Sequence, residues 1–340
     1  MQHRVLGRTG VKVSPLCLGA MMFGEMGNSD HDDCVRIIHR ALDAGINFVD
    51  TADVYSSGES EEIVGKALKG RRDDVVLASK VHGGMGDDPN HRGNSRRWIV
   101  TEVENTLRRL GTDHLDLYQV HRPDPSCDDE ETLSALTDLQ RAGKIRYAGS
   151  STFPAHEMVE DQWIAERRNL ARFVCEQPPY SILARGIESD VLPVARRYGM
   201  GVLCWSPLAG GFLSGRYRKG VEPEPSHRQQ VMARMGMDTD SAAQHAKRSA
   251  AEELGEAADE FGLAVVDVAL AFVLEHPAVT SAIIGPRTMQ QLEAQLDAPN
   301  KRLPTELLDR IDRIVSPGTN VNPADAGYTP AALDAEQRRR

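Results

Sequence analysis

The chain has 340 residues, with 40 Lys and Arg against 50 Asp and Glu, 40% hydrophobic residues and 5% aromatic ones. That length buries a full core as one large α/β domain or two ordinary ones without disulfides, and a formal charge of −10 argues against a nucleic-acid backbone as the main partner. Nowhere do about 18 or more apolar residues run together, which excludes a membrane-spanning helix. Five scattered cysteines (Cys17, Cys34, Cys127, Cys175 and Cys204) form no C-x-x-C pair and have no histidines at zinc spacing. They read as reduced thiols in a cytoplasmic protein.

From the amino end, Arg4–Val13 reads as a hairpin, with Val5-Leu6 and Val11–Val13 flanking the turn Gly7-Arg8-Thr9-Gly10. The apolar stretch Val13–Phe23 has the look of a signal peptide, but it is short and holds Ser14 and Pro15, so a buried strand fits better. Eight short β-rich apolar runs then alternate with helical periods. They are Pro15–Leu18, Asn47–Asp50, Val75–Ser79, Leu115–Val120, Ile145–Gly149, Phe173–Glu176, Val202–Trp205 and Ser281–Ile284. Helical stretches include Asp32–Ala44, Ser60–Lys69, Ser95–Leu110, Glu130–Ala142 and Ile187–Tyr198, several opened by a capping Ser or Asp.

Eight βα units predict an α/β fold of the (β/α)8 TIM-barrel type, its bottom closed by the hairpin. A doubly wound open sheet with an extra domain is the alternative. The strand ends favour the barrel, because Asp50, Lys80, His121, Ser150 and Ser151, Gln177, and Trp205 with Ser206 all fall at carboxyl ends. In a barrel those ends surround one pocket. Residues 217–247 have little apolar rhythm and predict a long loop, either a lid or a tolerated insertion. Helices near Ala250–Phe261 and Val265–Leu274 follow. A single barrel domain is expected over 1–316, with a loosely packed extension over 317–340.

Taken singly, a strand-end Lys is ordinarily a salt-bridge partner, a His a satisfied polar residue and a Tyr a packing residue. Together on one face they make a relay. A phenol has a pKa of about 10. An ammonium beside it favours the phenolate, and a carboxylate holds that ammonium in place. Asp50, Lys80 and Tyr55 would form this relay, and His121 would orient a substrate oxygen, a general-acid site for a carbonyl that gains a hydride. No side chain donates a hydride, so a nicotinamide or flavin is implied. There is no G-x-G-x-x-G after a strand and no Walker loop, so a dinucleotide needs a non-Rossmann site, in which Trp205 could stack on the ring.

The segment from Asn47 to Gly65, the Lys80 and His121 strand ends, Gly149-Ser150-Ser151-Thr152-Phe153, Trp205-Ser206-Pro207-Leu208 and the segment from Ile284 to Glu293 resemble those of the aldo-keto reductases. The likeness runs from about Leu6 to about Leu296 and is greatest to the bacterial branch related to potassium-channel β-subunits. It implies a barrel that binds NADPH in extended form, with NADH less favoured, and reduces a small carbonyl compound. Tyr55 matches the proton donor, Lys80 and Asp50 its tuning pair, and His121 the carbonyl-orienting residue. Ser151, Thr152 and Gln177 match positions at the nicotinamide carboxamide, and Trp205 the stacking ring. Ser206, Leu208, Gly210 and Arg216 match the pyrophosphate loop. Gly285, Arg287, Gln291 and Gln295 match the adenosine end, where Arg287 suits a 2′-phosphate. Met21 joins the cofactor contacts.

Three departures stand out: Thr152 replaces the usual Asn, Gln295 replaces an Asn, and Pro178-Pro179 follows Gln177. The resemblance also implies a second reading, an NADPH-sensing regulatory subunit with slow chemistry. A metal site on Asp50, His82 and His121, and a Lys80 Schiff-base aldolase, are weaker alternatives, since neither uses Tyr55 or Trp205. The pocket is expected to draw on Met21, Met22 and Phe23, Val54, His82–Gly93, Arg122–Asp129 and the 217–247 loop. The substrate and the oligomeric state stay open.

Overall fold

A parallel strand must bury both faces, and its crossover helix covers only one. Eight such strands resolve this by closing on themselves. The computed structural model describes residues 1–220, 240–330 and 333. After a two-stranded antiparallel hairpin, β1 (Arg4–Val5) and β2 (Lys12–Val13), come β3 (Leu16–Gly19), β4 (Phe48–Asp50), β5 (Val76–Val81), β6 (Leu115–Val120), β7 (Ile145–Ser151), β8 (Phe173–Gln177), β9 (Gly201–Cys204) and β10 (Ser281–Ile284). The last eight form a closed barrel in chain order, with β10 paired in parallel to both β9 and β3. The eight expected runs are these eight strands, their ends moved by a residue or two.

The hairpin stoppers the amino end. Leu6 and Val13 are fully buried and join Cys17, Phe48, Ala78, Leu117, Cys175, Leu203 and Ile283 in the apolar filling of the barrel. Gly7 turns with φ +54° against the backbone of β8 and β9, where a Cβ would stand 2.6 Å from the Val174 carbonyl oxygen. Only glycine fits that approach.

Around the barrel lie α1 (His31–Asp43), α2 (Glu59–Leu68), α3 (Arg96–Leu110), α4 (Asp129–Arg141), α5 (Ala155–Arg168), α6 (Val191–Tyr198), α7 (Ala242–Glu260), α8 (Val265–Glu275), α9 (Met289–Glu293) and α10 (Thr305–Ile314). In α1 the side chain of Asp30 caps the Asp33 N–H, and Cys34, Ile37, Ile38 and Ala41 form the buried stripe that a 3.6-residue period demands. Ser95 and Asp128 cap α3 and α4 in the same way.

Two expectations change. Both described ends of the loop predicted over 217–247 are packed or helical. Tyr217 is buried and stacks on Phe212 at 4.9 Å, and Ser241 caps α7 so that 242–247 are helical; 221–239 lie outside the described residues. The extension beyond Pro317 is not loosely packed where it is described. The Gly318 N–H donates to Glu188 at 3.0 Å, the Val321 N–H to the Leu183 carbonyl at 3.0 Å, and Asn320 accepts from the Gly186 N–H at 2.7 Å. Gly327 then meets the carboxyl face, where an added Cβ would lie 2.8 Å from the Trp205 ring and 3.0 Å from the Thr152 methyl. Lys247, buried in α7, pairs with Asp325 at 2.7 Å. Polar, glycine-rich sequence concealed this packing, because its contacts are hydrogen bonds and ion pairs rather than an apolar stripe.

The inner face of α5 carries an unexpected carboxyl group. Asp161 is buried with neither oxygen hydrogen-bonded among the described residues. Burial, and then Asp129, Glu157, Glu176 and Glu160, push its pKa up to about 9. The folded state therefore keeps a proton that the unfolded chain releases above about pH 4, so this group costs stability progressively as pH rises from there toward 9. Asp161→Asn is expected to melt higher than the parent at pH 8, and calorimetric scans should show the gain shrinking toward pH 4. A gain independent of pH would contradict the assignment.

Candidate active site

Strand parity assembles the polar cluster. Asp50 on β4 stands opposite Ala78 on β5, so Lys80, two residues on, faces the same interior. Gln119 on β6 is opposite Lys80, and Ser151 on β7 is opposite Gln177 on β8. Gly149 between them leaves the room that Gln119 and Cys175 fill, since a Cβ there would lie 2.6 Å from the Cys175 sulfur and 3.2 Å from Gln119.

Lys80 is completely buried, and its three N–H donors have three partners. Nζ donates to Asp50 Oδ1 at 2.5 Å, to the Thr51 carbonyl at 2.9 Å and to the Tyr55 hydroxyl at 3.4 Å. The second Asp50 oxygen accepts from Gln119 Nε2 at 3.1 Å and Gln177 Nε2 at 3.0 Å, and Gln177 also donates to Gln119 Oε1 at 3.1 Å. Burial alone would push the Lys80 pKa down, but Asp50 and Tyr55 outweigh it and hold it above the ordinary lysine value. Lys80 is thus an ammonium at neutral pH, unsuited to attack a carbonyl as an amine.

Tyr55 opens a tight turn in which Ser56 and Ser57 have φ of 48° and 55° and Gly58 has φ of 97°. Two successive non-glycine residues in this region are uncommon, and the turn brings the phenol back over the barrel mouth. His121 follows β6, its N–H donating to the Val81 carbonyl at 2.9 Å, and its ring meets that of Tyr55 edge-on at 5.8 Å. Burial, then the nearby Lys80 and Arg122 charges and His82, depress its pKa well below the usual histidine value. The imidazole is neutral, able to donate or accept a hydrogen bond.

A cavity of about 680 Å³ opens on this cluster. Asp50, Tyr55, His121, Met21, Ser151, Gln177, Trp205, Ser206, Leu208, Gly210, Arg216, Gly285, Arg287, Gln291 and Gln295 all line it. Lys80 lies just beneath. Thr152 is not on the wall, but its Oγ1 accepts from Trp205 Nε1 at 3.4 Å and Arg122 Nη1 at 3.2 Å. Thr152 has φ of 62°, a conformation natural to Asn and rare for a β-branched residue, so its departure from the family pattern carries backbone strain.

Across the cavity, Ser206, Ala209, Gly210 and Gly211 all have positive φ (54°, 50°, 68° and 97°), the backbone habit of an anion-holding loop. Arg216 Nε donates to Ser214 beside it. Gln295 donates to the Gln291 carbonyl at 2.8 Å, while its own buried Oε1 has no partner among the described residues. An orphaned acceptor there suits an amino group such as that of adenine.

Sequence reasoning did not single out Gln119, which bonds both Asp50 and Gln177, nor Arg122 as more than a stretch of wall. The available signal for Gln119 was an amide at an inward strand position between apolar neighbours. Among the described residues no group of three or more His, Cys, Asp or Glu side chains, Asp50, His82 and His121 included, could hold a metal ion. All five cysteines are free, and no described helix is long and apolar enough to cross a membrane.

An eight-stranded α/β barrel with a polar cluster and a cavity at its carboxyl ends has the layout in which barrel enzymes place their active sites. The Aldo/keto reductase family model matches residues 15–316, and the chain belongs to that family. It is 40% identical to the uncharacterized oxidoreductase YrpG of Bacillus subtilis, over 98% of this chain and 99% of that one. It is 34% identical to a putative voltage-gated potassium channel subunit beta of Schizosaccharomyces pombe, over 96% and 95% of the two chains. It is 35% identical to the aldo-keto reductase YhdN of B. subtilis, over 86% and 87%.

Replacing Asp50 with Asn would strand a buried ammonium. The expected loss is about 3–5 kcal/mol of unfolding free energy at pH 7, measured by urea denaturation. A loss no larger than that of an exposed Asp→Asn control would show that the pair is not the anchor of the cluster.

Proposed function

We propose that this protein is an NADPH-dependent reductase of aldehydes or ketones in which Tyr55 is the general acid. The observation that carries the reading is the Asp50–Lys80–Tyr55 chain, with Lys80 Nζ 2.5 Å from the carboxylate and 3.4 Å from the phenol, beside a neutral His121. When bound, the nicotinamide supplies the hydride. Trp205 would stack on its ring, and Ser151, Thr152 and Gln177 would hold its carboxamide. Both Gln177 amide hydrogens are engaged inside the cluster, so its Oε1 is the atom left to accept from that group. The 206–216 loop would hold the pyrophosphate through Ser206, Leu208, Gly210 and Arg216. Gly285, Arg287, Gln291 and Gln295 would hold the adenosine end, and Met21 would flank the ring.

The chain's own part in the reaction is proton delivery at one oxygen. His121 orients the carbonyl, Tyr55 Oη gives its proton to the carbonyl oxygen, and Lys80 stabilises the phenolate left behind. Asp50 keeps the ammonium charged and in place. A second reading, an NADPH-sensing regulatory subunit, rests on the same residues and on the likeness to proteins named as putative or probable voltage-gated potassium channel subunits beta. Repeated turnovers on a simple aldehyde favour the enzyme, and a single oxidation of bound NADPH favours the sensor.

Tyr55→Phe should lower kcat by about 100-fold or more while the dissociation constant for NADPH, read by tryptophan quenching, stays within about two-fold. Equal turnover in that variant would sink the proton-donor assignment. Arg287→Met should raise KM for NADPH by about ten-fold or more and move KM for NADH little, because only the former offers a 2′-phosphate. A parallel rise for both cofactors would refute that role.

A further inference from the structure

Several half-buried guanidiniums of this chain are matched by carboxylates. Arg72 pairs with Asp116 at 2.8 Å, Arg109 with Glu61 at 2.6 Å and Glu102 at 2.5 Å, and Arg185 with Glu188 at 2.9 Å and Asp312 at 2.7 Å. Arg122, on the wall of the active-site cavity, is not matched in this way. Its Nη1 donates to the His121 carbonyl at 2.5 Å and to Thr152 Oγ1 at 3.2 Å, and its guanidinium carbon stands 5.8 Å from the Trp205 ring. Among the described residues no carboxylate comes within ion-pair distance of it, and its Nε and Nη2 make no hydrogen bond.

The surroundings do not neutralise this charge. Lys80 is already balanced by Asp50. His121 carries no charge. Glu176, which lies in the field of Arg122, is committed to the Ser150 hydroxyl at 2.5 Å and the Phe153 N–H at 3.2 Å, and its burial raises its pKa to about 7. A desolvated guanidinium with two unused donors, fixed by its third nitrogen beside the reacting phenol, is a fork for a planar anion.

We infer that Arg122 is a specificity-determining residue that receives the carboxylate of the substrate, so that the favoured substrates are carbonyl compounds bearing a carboxylate, oxoacids and semialdehyde acids. This rests on the reductase reading above and narrows its substrate class. The carboxylate takes the free edge of Arg122, the carbonyl oxygen lies at Tyr55 and His121, and the carboxylate is unchanged by the reaction. The carbonyl carbon gains the hydride, its oxygen gains the Tyr55 proton, NADPH becomes NADP⁺, and the product is a hydroxy acid.

Matched pairs test this: 4-oxobutanoate and 4-carboxybenzaldehyde, each against its methyl ester, with NADPH, in the parent, Arg122→Lys and Arg122→Met. Benzoate binding to the NADP⁺-loaded enzyme is followed by calorimetry as a readout that needs no turnover. The parent should favour at least one acid over its ester by about ten-fold or more in kcat/KM, through KM. That ratio should collapse in Arg122→Met and survive in part in Arg122→Lys, and benzoate binding should weaken in parallel. Acids no better than esters in the parent, or a ratio that persists in Arg122→Met, overturns the inference. Benzoate bound through Arg122 in a protein that reduces none of the four carbonyls would leave the anion site standing and refute the reductase reading instead.

Discussion

The ion pair between Lys80 and Asp50 is the constraint on which the active-site face depends. An ammonium with no exposure to water is tolerable only when every N–H has an acceptor and a full negative charge stands beside it. The barrel meets both demands by parity, since three adjacent strands aim Asp50, Lys80 and Gln119 at one point. Gln119 and Gln177 then fix the second oxygen of Asp50, so the carboxylate cannot swing away from the amine. Of the partners of Lys80, the phenol of Tyr55 and the carboxylate of Asp50 also face the cavity. The whole arrangement is a buried charge that meets the cavity only through its partners.

Much of this was readable from the chain alone. Short apolar runs marked eight strands, and six of them placed a polar or aromatic group at the carboxyl end, where a barrel collects them. Other features left no such trace. Gln119 bonds a carboxylate 69 positions away, a contact that neither periodicity nor composition encodes. Asp161 occupies an inward helical position yet is a carboxylic acid, and only the packing of α5 reveals that its oxygens have no partner. Arg122 sits next to His121 in sequence, and its significance is a missing neighbour rather than a motif.

Thr152 shows how a departure from a family pattern propagates. The left-handed backbone at this position suits Asn, which can hydrogen-bond locally. A threonine there must be held by its surroundings, and Trp205, Arg122 and the Gln177 carbonyl supply that restraint at 3.4, 3.2 and 3.2 Å. The residue that would touch the nicotinamide amide is thereby coupled to the ring that would stack on it and to the guanidinium at the pocket wall. On the proposed reading, cofactor grip and substrate choice would meet in one hydroxyl group.

The contact between Gly327 and the Trp205 ring also bears on how the chain matures. Synthesis runs from the amino end, so the hairpin stopper and all eight barrel strands are made before residues 318–327. The segment that flanks the Trp205 ring is therefore added only after the strands it covers.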